Sequence, residues 1–187
     1  MHEEYELRFR TGKDFAEELA ARGFRRKVGM RMADLVFEPK DWKPGDMIAP
    51  GYRVVRIRLA HHHRPLIELK EFLHGNTWRE LSIRTDDPAA FVRLFSNLMV
   101  PRRIIEKQRE IWTNGVLEIS FDDVKHLGRF IEIEGPQLYV DELALELGFR
   151  MDDKEANYGA QLFYLEKTGL IPFHPDEMHA ALMDFGF

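Results

Sequence analysis

The sequence predicts an α+β fold: a closed antiparallel eight-stranded β-barrel with flanking helices. Three observations predict it. Six strand-like segments, beginning at Glu4, Tyr52, Leu66, Thr77, Val116 and Phe130, set acids and bases on one face and aliphatic side chains on the other. The helical segments between them are too few for strand–helix alternation, so consecutive strands pair antiparallel. Closing such a sheet turns all the charged faces into one shared lumen and removes the exposed edges.

Each element follows from its periodicity. Residues 4–10 read as a strand with Tyr5, Leu7 and Phe9 opposite Glu4, Glu6 and Arg8. Residues 14–22 form a short amphipathic helix with Phe15 and Leu19 inward, stopped by Gly23. Residues 25–38 return as a strand, bent near Ala33, and residues 39–51, with three prolines and two glycines, form a loop. A meander follows over 52–60, 66–73 and 77–85, with Arg56, Arg58, Glu68, Lys70, Glu80 and Arg84 sharing a face. Asp87-Pro88 starts a helix whose apolar stripe is Phe91, Leu94, Phe95 and Leu98. From Ile104 a strand carries Lys107 and Arg109, a Thr-Asn-Gly turn leads into the strand of Leu117 to Asp122, and residues 130–134 alternate Ile131 and Ile133 with Glu132 and Glu134. Helices over 138–147 and 157–167 and a short helix with an aromatic end within 170–187 complete the chain.

A chain of 187 residues suits one domain. It divides into a barrel with its helices, residues 1–168, and a C-terminal helical extension, residues 169–187, whose Phe and Met stripe serves the core, a homodimer contact or a lid. The absence of cysteine removes disulfides and thiolate sites, so any metal must use carboxylate or imidazole. A net charge of -5 argues against a nucleic-acid surface, and no apolar run reaches the ~20 residues that span a bilayer. The N-terminus lacks the apolar run of a secretory signal, which points to a cytoplasmic protein.

Arginine and lysine facing carboxylates in an enclosed space lose hydration, which is unfavourable unless the space is wet and built for a polyanion with a hard cation. Guanidinium forks and ammonium groups bind phosphate oxygens. The motifs in chain order are Glu4-Tyr5-Glu6-Leu7-Arg8, Arg56-Ile57-Arg58, Lys70 within LIELKEF, Lys107-Gln108-Arg109 and the acidic run FDDVKHLGRFIEIE. Together they resemble the CYTH superfamily of triphosphate tunnel enzymes, which includes class IV adenylate cyclases, thiamine triphosphatases and inorganic tripolyphosphatases. The resemblance runs from Glu4 to about Tyr158. It departs from the family's ExExK signature at Arg8, where a lysine is usual.

The resemblance implies that Glu4, Glu6 and Glu132 are catalytic and hold Mg²⁺ or Mn²⁺ with Glu134. Arg8, Arg56, Arg58, Lys70, Lys107 and Arg109, with Arg84, would grip the triphosphate, and Asp122 and Glu80 would be supporting acids. Arginine stays protonated, so Arg8 is assigned to phosphate binding and not to proton transfer. The leading expectation is class IV adenylate-cyclase-like conversion of ATP to cyclic AMP and pyrophosphate. Hydrolysis of tripolyphosphate, thiamine triphosphate or a nucleoside triphosphate is the alternative, and a non-catalytic phosphate-binding or sensing module is the second. His61, His62 and His63 read as a solvated turn, Trp42 and Trp78 as packing anchors before purine contacts, and Tyr158 as core.

Overall fold

The computed structural model describes residues 2–41, 49–155, 158–170 and 174–187. Its strands are β1 (His2–Arg10), β2 (Arg25–Glu38), β3 (Arg53–Ala60), β4 (Leu66–His74), β5 (Thr77–Arg84), β6 (Val100–Thr113), β7 (Glu118–Val124) and β8 (Gly128–Gly135). They close a barrel in the order β1-β5-β4-β3-β2-β6-β7-β8, every pair antiparallel. The helices are α1 (Ala16–Ala21), α2 (Pro88–Leu98), α3 (Gln137–Glu146), α4 (Tyr158–Lys167) and α5 (Glu177–Asp184).

Local chemistry explains the joints. The Asp87 side chain accepts from the Ala90 N–H at 2.8 Å while Pro88 supplies a preset first turn, so α2 starts there. Asn114 Oδ1 accepts from the N–H groups of Val116 and Leu117 and closes the β6–β7 turn. Gly135 ends β8 at φ +148°, and a Cβ there would lie 2.6 Å from Leu117 Cδ2, so the exit from the barrel requires glycine.

Alternation then sorts the side chains. Outward Leu7, Phe9, Ile119, Ile131 and Ile133 pack under Val140, Leu143 and Ala144 of α3, with Phe15 and Leu19 alongside. On the opposite flank, Ala33, Leu35, Phe37, Val55, Ile57 and Leu59 pack under Val92 of α2 and Met178 and Leu182 of α5. Each fully buried side chain of this size contributes roughly 1.5–3 kcal/mol.

The C-terminal stripe therefore lies in a core that the barrel shares. Arg31 holds Asp184 at 2.5 Å, and the Phe185 ring stacks on His61 with centroids 4.6 Å apart.

Several expectations are corrected. Leu94 and Leu98 are 49% and 61% exposed, because α2 buries Val92 and leans Phe91 and Phe95 on the barrel instead. Leu81 and Ile83 are exposed too: among the described residues no helix packs extensively on β5. The pairing of β2 continues unbroken through Ala33, with its register shifts at Arg26/Val28 and Val36/Phe37.

A third cluster was not anticipated. It lies on the inward face, where Val36, Ile105, Val124 and Phe130 meet Tyr158 and Leu162 of α4. This apolar plug stands at one end of the barrel, so the charged part of the lumen is approached from the other.

Candidate functional site

Carried round the closed barrel, the pairing register sorts inward side chains into tiers. The tier beside the plug holds Asp34, Arg56, Lys70, Glu6, Glu132, Asp122 and Lys107. The next tier outward holds Arg58, Glu68, Glu80, Glu4, Glu134 and Arg109. Both tiers mix the two signs of charge, so opposite charges meet within and between them.

One half of the cluster is organised by acids that hold cations. Asp122 is 1% exposed; it accepts from Arg109 Nε at 2.6 Å, Lys107 Nζ at 3.0 Å and the Tyr158 hydroxyl at 3.0 Å. Asp34 accepts from Arg58 Nε at 2.8 Å and lies 3.8 Å from Lys107 Nζ. Glu68 takes Arg56 by two hydrogen bonds, at 2.6 and 3.0 Å, and lies 3.5 Å from Arg58.

The other half is organised by cations that separate acids. Lys70 Nζ stands 2.9 Å from Glu4, 3.4 Å from Glu80 and 3.9 Å from Glu6. Arg8 donates to Glu6 at 3.1 Å and to Glu132, and its guanidinium lies 4.2 Å from the Tyr158 ring centre. Arg109 also donates to Glu132.

The electrostatics divide the acids into two kinds. Burial works to raise the pKa of Asp34, Glu68, Asp122 and Glu132, but the cations beside them outweigh it and hold all four below the usual carboxylate range. Glu134 goes the opposite way. Burial, a hydrogen bond to Glu4 and the Glu4 charge push it up to about 9, while Lys70 and that same bond hold Glu4 down to about 2 against its own burial. These shifts favour a protonated Glu134 beside a charged Glu4 at neutral pH. Among the cations, burial and neighbouring Arg109 bring Lys107 down to about 8.

The structure brings together Glu4, Glu6, Arg8, Arg56, Arg58, Lys70, Glu80, Lys107, Arg109, Asp122, Glu132 and Glu134. Arg84 is apart from them: it is exposed at the end of β5 and donates to the Arg64 carbonyl at 3.1 Å. Its alternation with Glu80 is correct, but the strand has left the enclosed tiers by that point. Asp34 was missed, and Glu68, read on the charged face, was given no role. Asp34 lies within an apolar run, and its signal is an acid alternating with Ala33 and Leu35; Glu68 shares its face with Lys70. Tyr158 does pack in the core, and its hydroxyl also reaches Asp122. Trp78 packs edge-on against Phe72 at 5.2 Å between ring centres. His61 to His63 form an exposed or half-exposed turn with His62 at φ 64°. Trp42 lies outside the described residues.

The donor set fits a hard divalent cation: it is all carboxylate oxygen, and Glu4 and Glu134 share a proton of the kind a cation displaces. Glu6 is the register partner of Glu134. Among the described residues, however, no three such side chains already converge as a cage. Lys70 and Arg8 stand between the acids, so loading the site requires those cations to find another anion.

The family model of the CYTH domain matches residues 2–137. Solved structures share the fold. The PH1012 protein of Pyrococcus horikoshii superposes with a TM-score of 0.73 at 22% identity, covering 85% of this chain and 98% of that one. A conserved protein of Pyrococcus furiosus gives 0.71 at 22%, covering 83% and 98%. The Hippeastrum protein HpAC1, a candidate adenylyl cyclase described as having a dominant triphosphatase activity, gives 0.59 at 16%, covering 92% and 98%. No curated protein matches the sequence itself.

Proposed function

The chain belongs to the CYTH family, and from that premise we propose that its tunnel binds a triphosphate together with Mg²⁺ or Mn²⁺ and breaks one of the phosphoanhydride bonds. The observation that carries this reading is the buried, self-neutralised cluster in which Arg56, Arg58, Lys70, Lys107 and Arg109 are each held by carboxylates. An entering triphosphate offers those cations oxygens that match their forks, and the exchange frees carboxylates. Glu4, Glu6 and Glu134, with Glu132 once Arg8 and Arg109 turn to phosphate, would then hold the metal. Bound there, the metal would neutralise phosphate oxygens and orient the reacting group.

The side chains supply the rest. Arg56, Arg58 and Arg109 fix the phosphates in line for attack. Lys107, whose pKa burial and Arg109 bring down to about 8, would give a proton to the leaving phosphate oxygen. Arg8 is a permanent charge that bridges Glu6 and Glu132 in the empty tunnel and turns to a phosphate oxygen when the triphosphate enters.

Hydrolysis is the reaction we favour, because water is small enough to reach a phosphorus lodged against the plug and needs no second substrate group to be held. Cyclisation of ATP, the expectation from sequence, additionally requires the ribose 3′-hydroxyl at the α-phosphorus; the apolar mouth described below supports it as the second reading. Incubation with ATP or tripolyphosphate and Mg²⁺ or Mn²⁺, followed by product separation, decides: orthophosphate supports hydrolysis, and cyclic AMP with pyrophosphate supports cyclisation. Tight binding without turnover would leave the non-catalytic phosphate module.

The shared proton gives a pH signature. Below about pH 9 the Glu4–Glu134 pair carries a proton that the metal must displace, so affinity for Mg²⁺ should rise with pH and level off above it. The slope expected is roughly tenfold per pH unit where one proton is released. Calorimetry in two buffers of different ionisation enthalpy measures the released proton directly, and a pH-independent affinity would remove Glu134 from the metal set.

A further inference from the structure

We propose that the open mouth of the tunnel favours triphosphates esterified to an organic ring system over inorganic tripolyphosphate, through an apolar arc made by Val28 and Met30 of β2 and Ile111 of β6. This rests on the tunnel being a triphosphate site, and it names which triphosphates that site takes.

The placement follows from register. Along β2 the outward positions Ala33, Leu35 and Phe37 lie in the outer core, so Asp34, Met32, Met30 and Val28 face the lumen. Along β6 the outward Trp112 lies in the other outer core, so Lys107, Arg109 and Ile111 face the lumen. Val28 pairs with Ile111, Met30 with Arg109 and Met32 with Lys107. The arc therefore continues the same two strands that carry the phosphate-directed cations, one step farther from the plug.

Val28, Met30 and Ile111 are half-buried, and none belongs to any of the three described apolar clusters. Apolar side chains with no core to join, lying on the inner face of a barrel whose neighbouring tiers are charged, are unfavourably placed unless a ligand covers them. Beside the arc, on β7, Glu118 is the register partner of Glu134 and lies 3.4 Å from Lys27 Nζ of β2. Tyr158, Leu162 and the rest of the plug stand at the far end, so a group attached to a triphosphate stays at the mouth when the phosphates reach the cations. A ring system can lie on the arc, and the flexible thioether of Met30 suits rings of different outline. Inorganic tripolyphosphate has nothing to place there.

The test compares affinities for ATP, thiamine triphosphate and inorganic tripolyphosphate, by titration calorimetry with Mg²⁺, in the wild type and in the Met30→Ser/Ile111→Ser double variant. Covering the arc is expected to be worth about tenfold in affinity for at least one organic ester. The double variant should lose that factor while its tripolyphosphate affinity stays unchanged, which also serves as the control for folding. Met30→Leu alone should keep the preference, and a single Met30→Ser change should lose part of it should the double variant fail to fold. Equal loss for organic and inorganic ligands, or no loss for either, overturns the assignment of the arc and leaves the phosphate site standing. Failure of the wild type to bind any of the three overturns the phosphate site and the arc with it.

Discussion

Asp122→Ala is expected to destabilise the protein by about 3–5 kcal/mol, the largest single-residue effect on stability in the tunnel. The carboxylate is 1% exposed and holds Arg109, Lys107 and the Tyr158 hydroxyl at once. Removing it leaves two buried cations facing each other, with Glu132 the nearest remaining acid for Arg109. The cost comes from uncompensated desolvation and like-charge repulsion, which exceed the small net worth of the ion pairs themselves. Guanidinium denaturation measures it, and a loss under about 1 kcal/mol would mean that water reaches these cations freely. A second arm tests the functional side: tripolyphosphate supplies the missing negative charge, so it should stabilise Asp122→Ala more than it stabilises the wild type.

Much of this cluster was legible because a strand shows its two faces in its own sequence. Glu4, Glu6 and Arg8 alternate with Tyr5, Leu7 and Phe9, and Arg56 and Arg58 alternate with Val55, Ile57 and Leu59, so the inward set could be read strand by strand. Closure could be read because the charged faces are acidic on some strands, such as Glu132 and Glu134, and basic on others, such as Arg56 and Arg58, so that together they balance as an enclosed lumen requires. What failed depends on position along the barrel axis, which alternation does not encode. Arg84 has the inward parity of Glu80 yet emerges beyond the enclosed tiers. Phe130, Val36 and Ile105 share the parity of Glu132, Asp34 and Lys107 yet form the plug. Whether an inward residue is lumen, plug or rim depends on the stagger between strands, which is set by pairing among all eight. Asp34 was hidden for a related reason: a lone acid within Met32 to Phe37 reads as apolar strand until Arg58 is known to lie across from it.

The network also bears on the arginine at position 8. A lysine at this position would place one compact charge; the Arg8 guanidinium reaches Glu6 and Glu132 together and lies against the Tyr158 ring. Burial opposes its charge, but Glu132 and Glu6 keep its pKa above the usual value, so it is permanently ionised. Arg8 thereby joins three parts of the structure: the acids proposed for the metal, Arg109 through their common partner Glu132, and the plug. An anion that drew Arg8 away from Glu6 and Glu132 would free those acids, so on the proposed reading triphosphate and metal are expected to bind with mutual enhancement.

Glu134→Gln should separate the metal role from the structural one. Turnover with Mg²⁺ is expected to fall by about 10²–10³, since the amide can neither release a proton nor offer a charged oxygen to the cation. Stability of the metal-free protein should move in the opposite sense. In the unfolded chain this carboxyl titrates near its ordinary 4.5, while in the fold burial and Glu4 raise it to about 9. Between those values the folded protein carries a proton that unfolding releases, so the wild type loses stability as pH rises through the window. A glutamine has no such proton, and the variant should be increasingly more stable than the wild type between about pH 6 and about pH 8.5, as thermal midpoints at the two ends will show. Glu132→Gln provides the contrast. Its carboxylate holds Arg8 and Arg109, and burial is outweighed there by those guanidiniums, so neutralising it should lower stability and turnover together. Wild-type turnover in Glu134→Gln would take Glu134 out of the metal set, and a midpoint that falls with pH as the wild type's does would show that the shared proton resides elsewhere.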